Sequence, residues 1–487
     1  MKPALFINCL ISILLFFSCS EKRTDVEIVN KIPVIFPDYT GVTIPSTIAP
    51  LNFKLIDESE KLYLTIKGSK TGSIELYASD FFSIPEKKWK KMLIENIGGE
   101  IRLTVSAKLL GKWKQYDSFP IHISPDPIDF GLVYRLIAPG YEVYSKMGIY
   151  QRDISNFKQT AIFENTIVPE SCVNCHAFNQ TKPDKMSLHI RGSHGGTLIK
   201  NGDNMKMIDT NSDQTIGSCV YPYWHPSEKF IAYSVNKTRQ VFHSSREKLI
   251  EVLDLESDIV VYDTETHELL SCELLSSSNL ETFPVFSPDG KTLYFCSANE
   301  QNLPYDYMDV RYNLCSIAFN PENKTFGDKI DTLIHADIQG KSISFPKPSF
   351  DGKYIMYTLL DYGNFGIWHQ EADLYLFDLE NAKIIELPEV NSLHAESYHN
   401  WSSNSRWFVF ESRRIDGLYT RLYIASIDEN GKAGKPFLLP QKTPDHNSES
   451  FFSYNVPEFV NTPVKLNANK AEKIIKAQER QNVKYKN

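Results

Sequence analysis

Beyond its first twenty residues the chain has no hydrophobic run that approaches a membrane-spanning length. It contains no Gly-x-Ser-x-Gly elbow, no His-Glu-x-x-His pair and no phosphate-binding glycine loop, which disfavours hydrolase, metalloprotease and nucleotide chemistry. Charge of neither sign is concentrated: the net charge of -8 is spread along the chain, which argues against a nucleic-acid surface. Cys219, Cys272, Cys296 and Cys315 are scattered singly, so no second cysteine pair completes a tetrahedral zinc site.

What is present begins with MKPALFINCLISILLFFSCS, a lysine followed by an almost unbroken apolar run from Ala4 to Phe17 and then Ser18-Cys19. The run is short and ends abruptly, which is the pattern of an export signal. The small residue Ser18 before Cys19 matches a bacterial lipoprotein cleavage box, so Cys19 is expected to become the lipidated first residue. Residues 19–30 then form a polar tether, and the mature chain stands outside the cytoplasm on a membrane.

With 487 residues, 42% of them hydrophobic, there is enough apolar mass for two domains with separate cores. Residues 31–160 read as a β-sandwich-like domain. In KLYLTIK the side chains of Leu62, Leu64 and Ile66 share a face, and in IRLTVSA those of Ile101, Leu103 and Val105 do. One helix interrupts them at PEKKWKKMLIEN, where Pro85 suits a helix start and Trp89, Met92 and Leu93 make the apolar stripe.

A repeat follows. YPYWHPSEKFIAYS, FPVFSPDGKTLYFCS, FPKPSFDGKYIMYT and YHNWSSNSRWFVFES begin at Tyr221, Phe283, Phe345 and Tyr398. Each opens on an aromatic residue, passes a turn and enters an alternating strand. A weaker copy, SYNVPEFV, begins at Ser453. Repeats of this kind are blades that cannot bury both faces alone, so the fold class is all-β, with a β-propeller over 186–460 of six blades, or alternatively seven. The basic C-terminal segment 461–487 reads as a short solvated helix and a frayed tail.

Between the two domains, in 161–185, lies VPESCVNCHAFNQ. Cys172, Cys175 and His176 can be a redox dithiol, half of a zinc site or the attachment point of a covalent haem. No βαβ unit surrounds them, as a thioredoxin-like dithiol requires, and no partner motif completes a zinc site. A c-type haem uses all three residues: two thioethers from Cys172 and Cys175 and a proximal imidazole from His176. For the distal side His189 is expected ahead of Met186. If MSLHIR is a strand these two point to opposite faces, so only one can serve. His194, Met205 and Met147 come next, His225 and His399 read as structural, and His243 is unassigned.

The order of a lipoprotein signal, a β-rich domain ending in YRLIAPGYEVYSKMGIYQRDISNF, then CVNCHAF, HIRGSHGGT, YPYWHP and the SPDGK and SFDGK turns resembles exported bacterial TolB-like propeller lipoproteins, a group often labelled cytochrome c biosynthesis proteins. The resemblance implies a periplasmic or outer-membrane propeller bearing one haem c. Its expected function is electron transfer with a redox or protein partner docked on the propeller. The alternatives are a binding lipoprotein whose haem is structural or sensory, and an open-site haem enzyme. Replacing Cys19 with Ala should release the protein from the membrane fraction or stall its processing; a variant that is fully membrane-bound and correctly cleaved would remove the lipoprotein reading.

Overall fold

The computed structural model describes residues 23, 25–138, 146–211, 215–244, 248–477 and 479–486. The expected export signal and Cys19 lie outside them. No helix among the described residues is long and apolar enough to cross a membrane.

Strands dominate, and from Gly131 onward they form sheets of four, five, ten, four and four strands. The ten-stranded one is two antiparallel units joined only through Ser257 and Leu280, so that there are six units in all, each built on four antiparallel strands. The units are the blades of a propeller. Blades 3 to 6 open on the inner strands Cys219–Trp224, Leu280–Phe286, Ser342–Pro348 and Glu396–Trp401, which carry the repeat seen in the sequence. Each neighbouring pair of blades encloses its own apolar layer. Ile231, Tyr233 and Val260 of blade 3 meet Ala177, Ile199 and Ile208 of blade 2, and Met356 and Leu376 of blade 5 meet Trp401 and Phe408 of blade 6.

The ring closes through residues far apart in sequence. Ser453–Val460 is the inner strand of blade 1, and its partner is Gly131–Ile137, paired antiparallel from Gly131 with Val460 to Ile137 with Ser453. Gly148–Asp153 and Gln159–Glu164 complete that blade. The sandwich therefore ends near Ser124 rather than at residue 160, because YRLI and GIYQRD need the C-terminal strand to complete their sheet. The expected connector 161–185 is also absent as such: Ser171–Asn179 is the inner strand of blade 2 and Lys182–Gly192 its second strand.

The N-terminal domain holds a seven-stranded sheet and a three-stranded one. Its helix, Glu86–Glu95, buries Trp89, Met92 and Leu93 as the stripe predicts, with Pro85 at the N-cap. The domain's core runs on into the propeller, where Leu64, Leu103 and Ile121 share one cluster with Trp407, Leu422 and Phe459.

The tail is ordered, not frayed. Asn467 caps the helix Ala468–Lys476 by accepting from the Lys470 amide at 3.0 Å, and Ala471 and Ile475 bury against blades 1 and 2. Gln481–Asn482 and Lys484–Tyr485 then add as parallel edge strands to blades 2 and 3. Covering edges in this way satisfies backbone groups that would otherwise face water or another sheet.

Closure should be the weak point of the ring. Phe459 is fully buried where blade 1, blade 6 and the N-terminal domain meet. Phe459→Ala is expected to lower unfolding free energy by about 3–5 kcal/mol in denaturant titrations. A loss below about 1 kcal/mol would mean that closure is not where the stability resides.

Candidate functional site

In each inner strand one residue stands in the left-handed region where the pairing register slips. These are Cys175 (φ 43), Tyr221 (φ 50), Phe283 (φ 52), Phe345 (φ 50), Tyr398 (φ 43) and Val456 (φ 49). A bulge at the same place in every blade turns one side chain per blade toward the axis. Tyr221, Phe283, Phe345 and Tyr398 pack edge-on or tilted around the channel, with successive ring centroids 4.6, 4.3 and 4.3 Å apart.

Cys175 is the blade 2 member of this set. CHAFNQ therefore occupies the place of YPYWHP, with Phe178 where Trp224, Phe286, Trp401 and Phe459 stand in other blades. The sequence did carry a signal for this, the aromatic residue three positions after the bulge, but the cysteines drew the segment toward another reading.

The bulge decides where the expected haem ligands point. His176 pairs with Leu188, and so lies on the face toward blade 1, where Leu188, Met186 and Phe178 form the core. Its ring meets Phe178 edge-on at 5.9 Å, and its Nε2 is 3.9 Å from Glu458 Oε1 without a hydrogen bond. Burial pushes its pKa down to about 3, so the imidazole is neutral. His189 pairs with Asn174 on the opposite face, toward blade 3, and shares 3.1 Å with Thr197 Oγ1. Burial takes its pKa down to about 4. Cys172, two residues before Asn174, belongs to the His189 face by alternation.

Met186 and His189 thus point to opposite faces as expected, but the preference for His189 is reversed. It is Met186 that shares a face with His176, and Met186 is itself core. The trio Cys172, Cys175 and His176 is divided among one face, the channel and the other face. These residues do not fit a single haem c while Ser171–Asn179 is in its blade, since two thioethers and an axial imidazole must converge on one porphyrin. Among the described residues no cluster of three or more His, Cys, Asp or Glu is placed to hold a metal ion.

The other expected residues have local roles. His225 bonds Ser227 Oγ at 2.7 Å and the Gly290 carbonyl at 2.9 Å, and His399 bonds the Met356 carbonyl at 2.9 Å, so both are structural as read. His194 lies in a loop beside Ser193 Oγ, and Met205 packs on the blade 1 and 2 core. Met147 bonds through its amide to Asn165 Oδ1.

Strand direction distinguishes two faces of the ring. Inner strands begin at the entry face and end at the exit face, where the turns are short. At the entry face the second and third strands of blade 3, Phe230–Phe242 and Ile250–Asp263, extend into a long hairpin that reaches blade 5. There Glu251 accepts from Tyr362 Oη at 2.7 Å and meets His369 Nε2 at 2.9 Å, while His369 Nδ1 is 3.2 Å from Glu371. Lys248 pairs with Glu371 at 3.3 Å, His243 Nε2 is 4.0 Å from Glu251, and Asn364 donates to Asp254 at 2.5 Å. Sequence reasoning missed this clasp because its members lie in the blade 3 hairpin and the blade 5 loop, outside the repeat.

No family model and no curated protein matches the chain. Among solved structures it is similar to a Mycobacterium tuberculosis puromycin-hydrolyzing peptidase, at 9% identity and a TM-score of 0.36, over 85% of this chain and 57% of that one. An ancestral GH74 enzyme matches at 12% identity and a TM-score of 0.32, over 64% of this chain and 47% of that one. A prolyl endopeptidase matches at 9% identity and 0.32, over 63% and 42%. The chain spans roughly half the length of these neighbours, from 42% to 57%.

The clasp should respond to pH in a defined direction. Burial opposes charge on His369, but its hydrogen bonds to Glu251 and Glu371 outweigh that and raise its pKa above the usual 6.5. Burial likewise opposes ionisation of Glu371, yet His369 and Lys248 bring it down to about 2. The stabilisation from His369 is full below pH 6.5 and is lost as pH rises through the higher folded value; that from Glu371 is full above 4.5 and is lost as pH falls toward 2. His369→Gln should therefore cost about 2 kcal/mol at pH 5.5, measured by denaturant unfolding, and progressively less on the alkaline side. A penalty that grows with alkalinity would contradict the charged clasp.

Proposed function

We propose that the chain is an exported, lipid-anchored propeller whose entry face binds a protein partner. One observation carries this reading. Every exposed large hydrophobic side chain among the described propeller residues lies at the entry face, in its loops or at the end of the long blade 3 strand: Phe242, Tyr305, Met308, Ile338, Leu393, Leu418 and Phe451. Single exposed apolar residues are ordinary, but their confinement to one end of a ring is the distribution expected of an interaction surface. The loops there are also long, whereas exit-face turns such as that at Gly290 are tight and polar. The lipid anchor rests on Ser18-Cys19 and places the partner at the same membrane.

A photo-crosslinking residue installed at Phe242 or Tyr305 in cells should yield a discrete higher-mass adduct, while the same residue at Glu265 on the exit face should not. Equal adducts from both faces, or none from either, would defeat the proposal.

The electron-transfer reading keeps one observation in its favour, the buried Nε2 of His176 that has no hydrogen-bond partner. It requires Ser171–Asn179 to leave its blade so that Cys172 and His176 reach one side. Haem staining after denaturing electrophoresis, from cells with working cytochrome c maturation, distinguishes the two. An unstained band is expected of the packed blade, and a stained band that disappears in Cys172→Ala/Cys175→Ala restores the haem.

A further inference from the structure

The channel has a second end, and its chemistry differs from that of the entry face. Two residues beyond each bulge the inner strands carry Ala177, Tyr223, Val285, Lys347, Asn400 and Glu458. Above them the aromatic ring of Tyr221, Phe283, Phe345 and Tyr398 narrows the axis, so the exit mouth is a cup. Five of the six residues line it together with Phe350 and Pro348; Val285 packs into the core instead. The cup encloses about 30 Å³ and, with its open mouth, about 420 Å³.

Lys347 is the anomaly in this cup. Its amine makes no ion pair or hydrogen bond with any described residue and sits 5.0 Å from the Tyr223 ring centroid. Glu458 is close enough to interact with its charge but lies beyond 4 Å, with Oε2 turned to accept the Phe178 amide at 3.1 Å. Two buried ring nitrogens lack a hydrogen-bond partner: Nε2 of His176 and Nδ1 of His399, each in a side chain only 2% exposed. The His399 Nε2–H donates to the Met356 carbonyl, which leaves Nδ1 a bare acceptor. Burial pushes the Lys347 amine below its ordinary value and Glu458 up to about 7, and in neither group does the other's charge offset it.

A half-buried amine with idle donors, set among apolar walls, gains most from an acceptor that enters the cup beside it. We propose that the exit mouth is a binding site for a small organic acid, its carboxylate taken by Lys347 and its apolar body held against Tyr223, Phe350 and Pro348. A single positive charge beside Glu458 admits a monoanion and disfavours a dianion such as phosphate. The enclosed 30 Å³ accommodates only a head group, so the body must occupy the open part of the cup. This site is independent of the entry-face reading, since it lies at the opposite end of the ring.

The test uses purified full-length protein in detergent, with tryptophan fluorescence as readout because Trp224 and Trp401 line the cup. Sodium benzoate should bind saturably. Benzamide, the same body without charge, should bind about 10- to 100-fold more weakly, and Lys347→Met should reduce benzoate affinity by a similar factor. Acetate, a head without a body, should bind more weakly than benzoate. Equal binding of benzamide and benzoate, an unaffected Lys347→Met, or no saturation by benzoate would each overturn the proposal. A measurement on unaltered protein guards against a variant that fails to fold. Reductive methylation of Lys347, followed by mass spectrometry, should be slowed by benzoate, and a rate indifferent to benzoate would overturn the site as well.

Discussion

Everything in this molecule depends on the pairing of Ser453–Val460 with Gly131–Ile137. A propeller without closure leaves two blades with an uncovered face and an open inner edge, and neither can be stable alone. Here the last blade strand in sequence becomes the first in space, and the ring has no free end. The closure also fixes the N-terminal domain, whose core is continuous with the blades on either side of the joint. The C-terminal segment after Val460 then crosses to the rims of blades 2 and 3. Both termini of the folded chain thus reinforce the same ring.

Once the ring is closed, the bulge repeated in each inner strand determines the interior. It delivers one side chain per blade to the axis and reverses the faces on which the residues before and after it lie. In four blades the delivered residue is aromatic, and packing of these rings divides the channel into two ends. The entry end is roofed by the blade 3 hairpin and tied to blade 5 through His369, while the exit end is a small cup around Lys347. The two ends offer different surfaces, one broad and apolar and one narrow and charged.

The same bulge governs the meaning of the cysteines. In a helix or an open loop, Cys172, Cys175 and His176 could converge, which is why their spacing suggests a haem. In a bulged strand they diverge. Cys175 takes a position that is structural in every other blade, and His176 stands where four of the other blades have proline and blade 6 has His399. The imidazole's neutrality follows from the same packing, since burial there disfavours the charged form.

Much of the architecture was written in local pattern. Strand after strand alternates in hydrophobicity, the aromatic starts at Tyr221, Phe283, Phe345 and Tyr398 mark four blades, and Trp89, Met92 and Leu93 mark the one long helix of the N-terminal domain. These features are legible because period and turn chemistry are set by neighbours in sequence. The inner strand of blade 1 showed as the weak copy SYNVPEFV, but its pairing was not legible, since its partner lies more than three hundred residues earlier and no local pattern encodes a partner at that distance. Nor was the clasp of Glu251 and His369, whose members sit in a hairpin of blade 3 and a loop of blade 5 outside the repeat, nor the solitary amine of Lys347, which reads in sequence as one more charged residue. The sequence by itself determined that the chain forms strands and that they recur as blades. Only the tertiary structure decided which strand closes the ring, which faces Cys172 and His176 occupy and which charges go unpaired, because each is set by long-range register and burial rather than by adjacent residues.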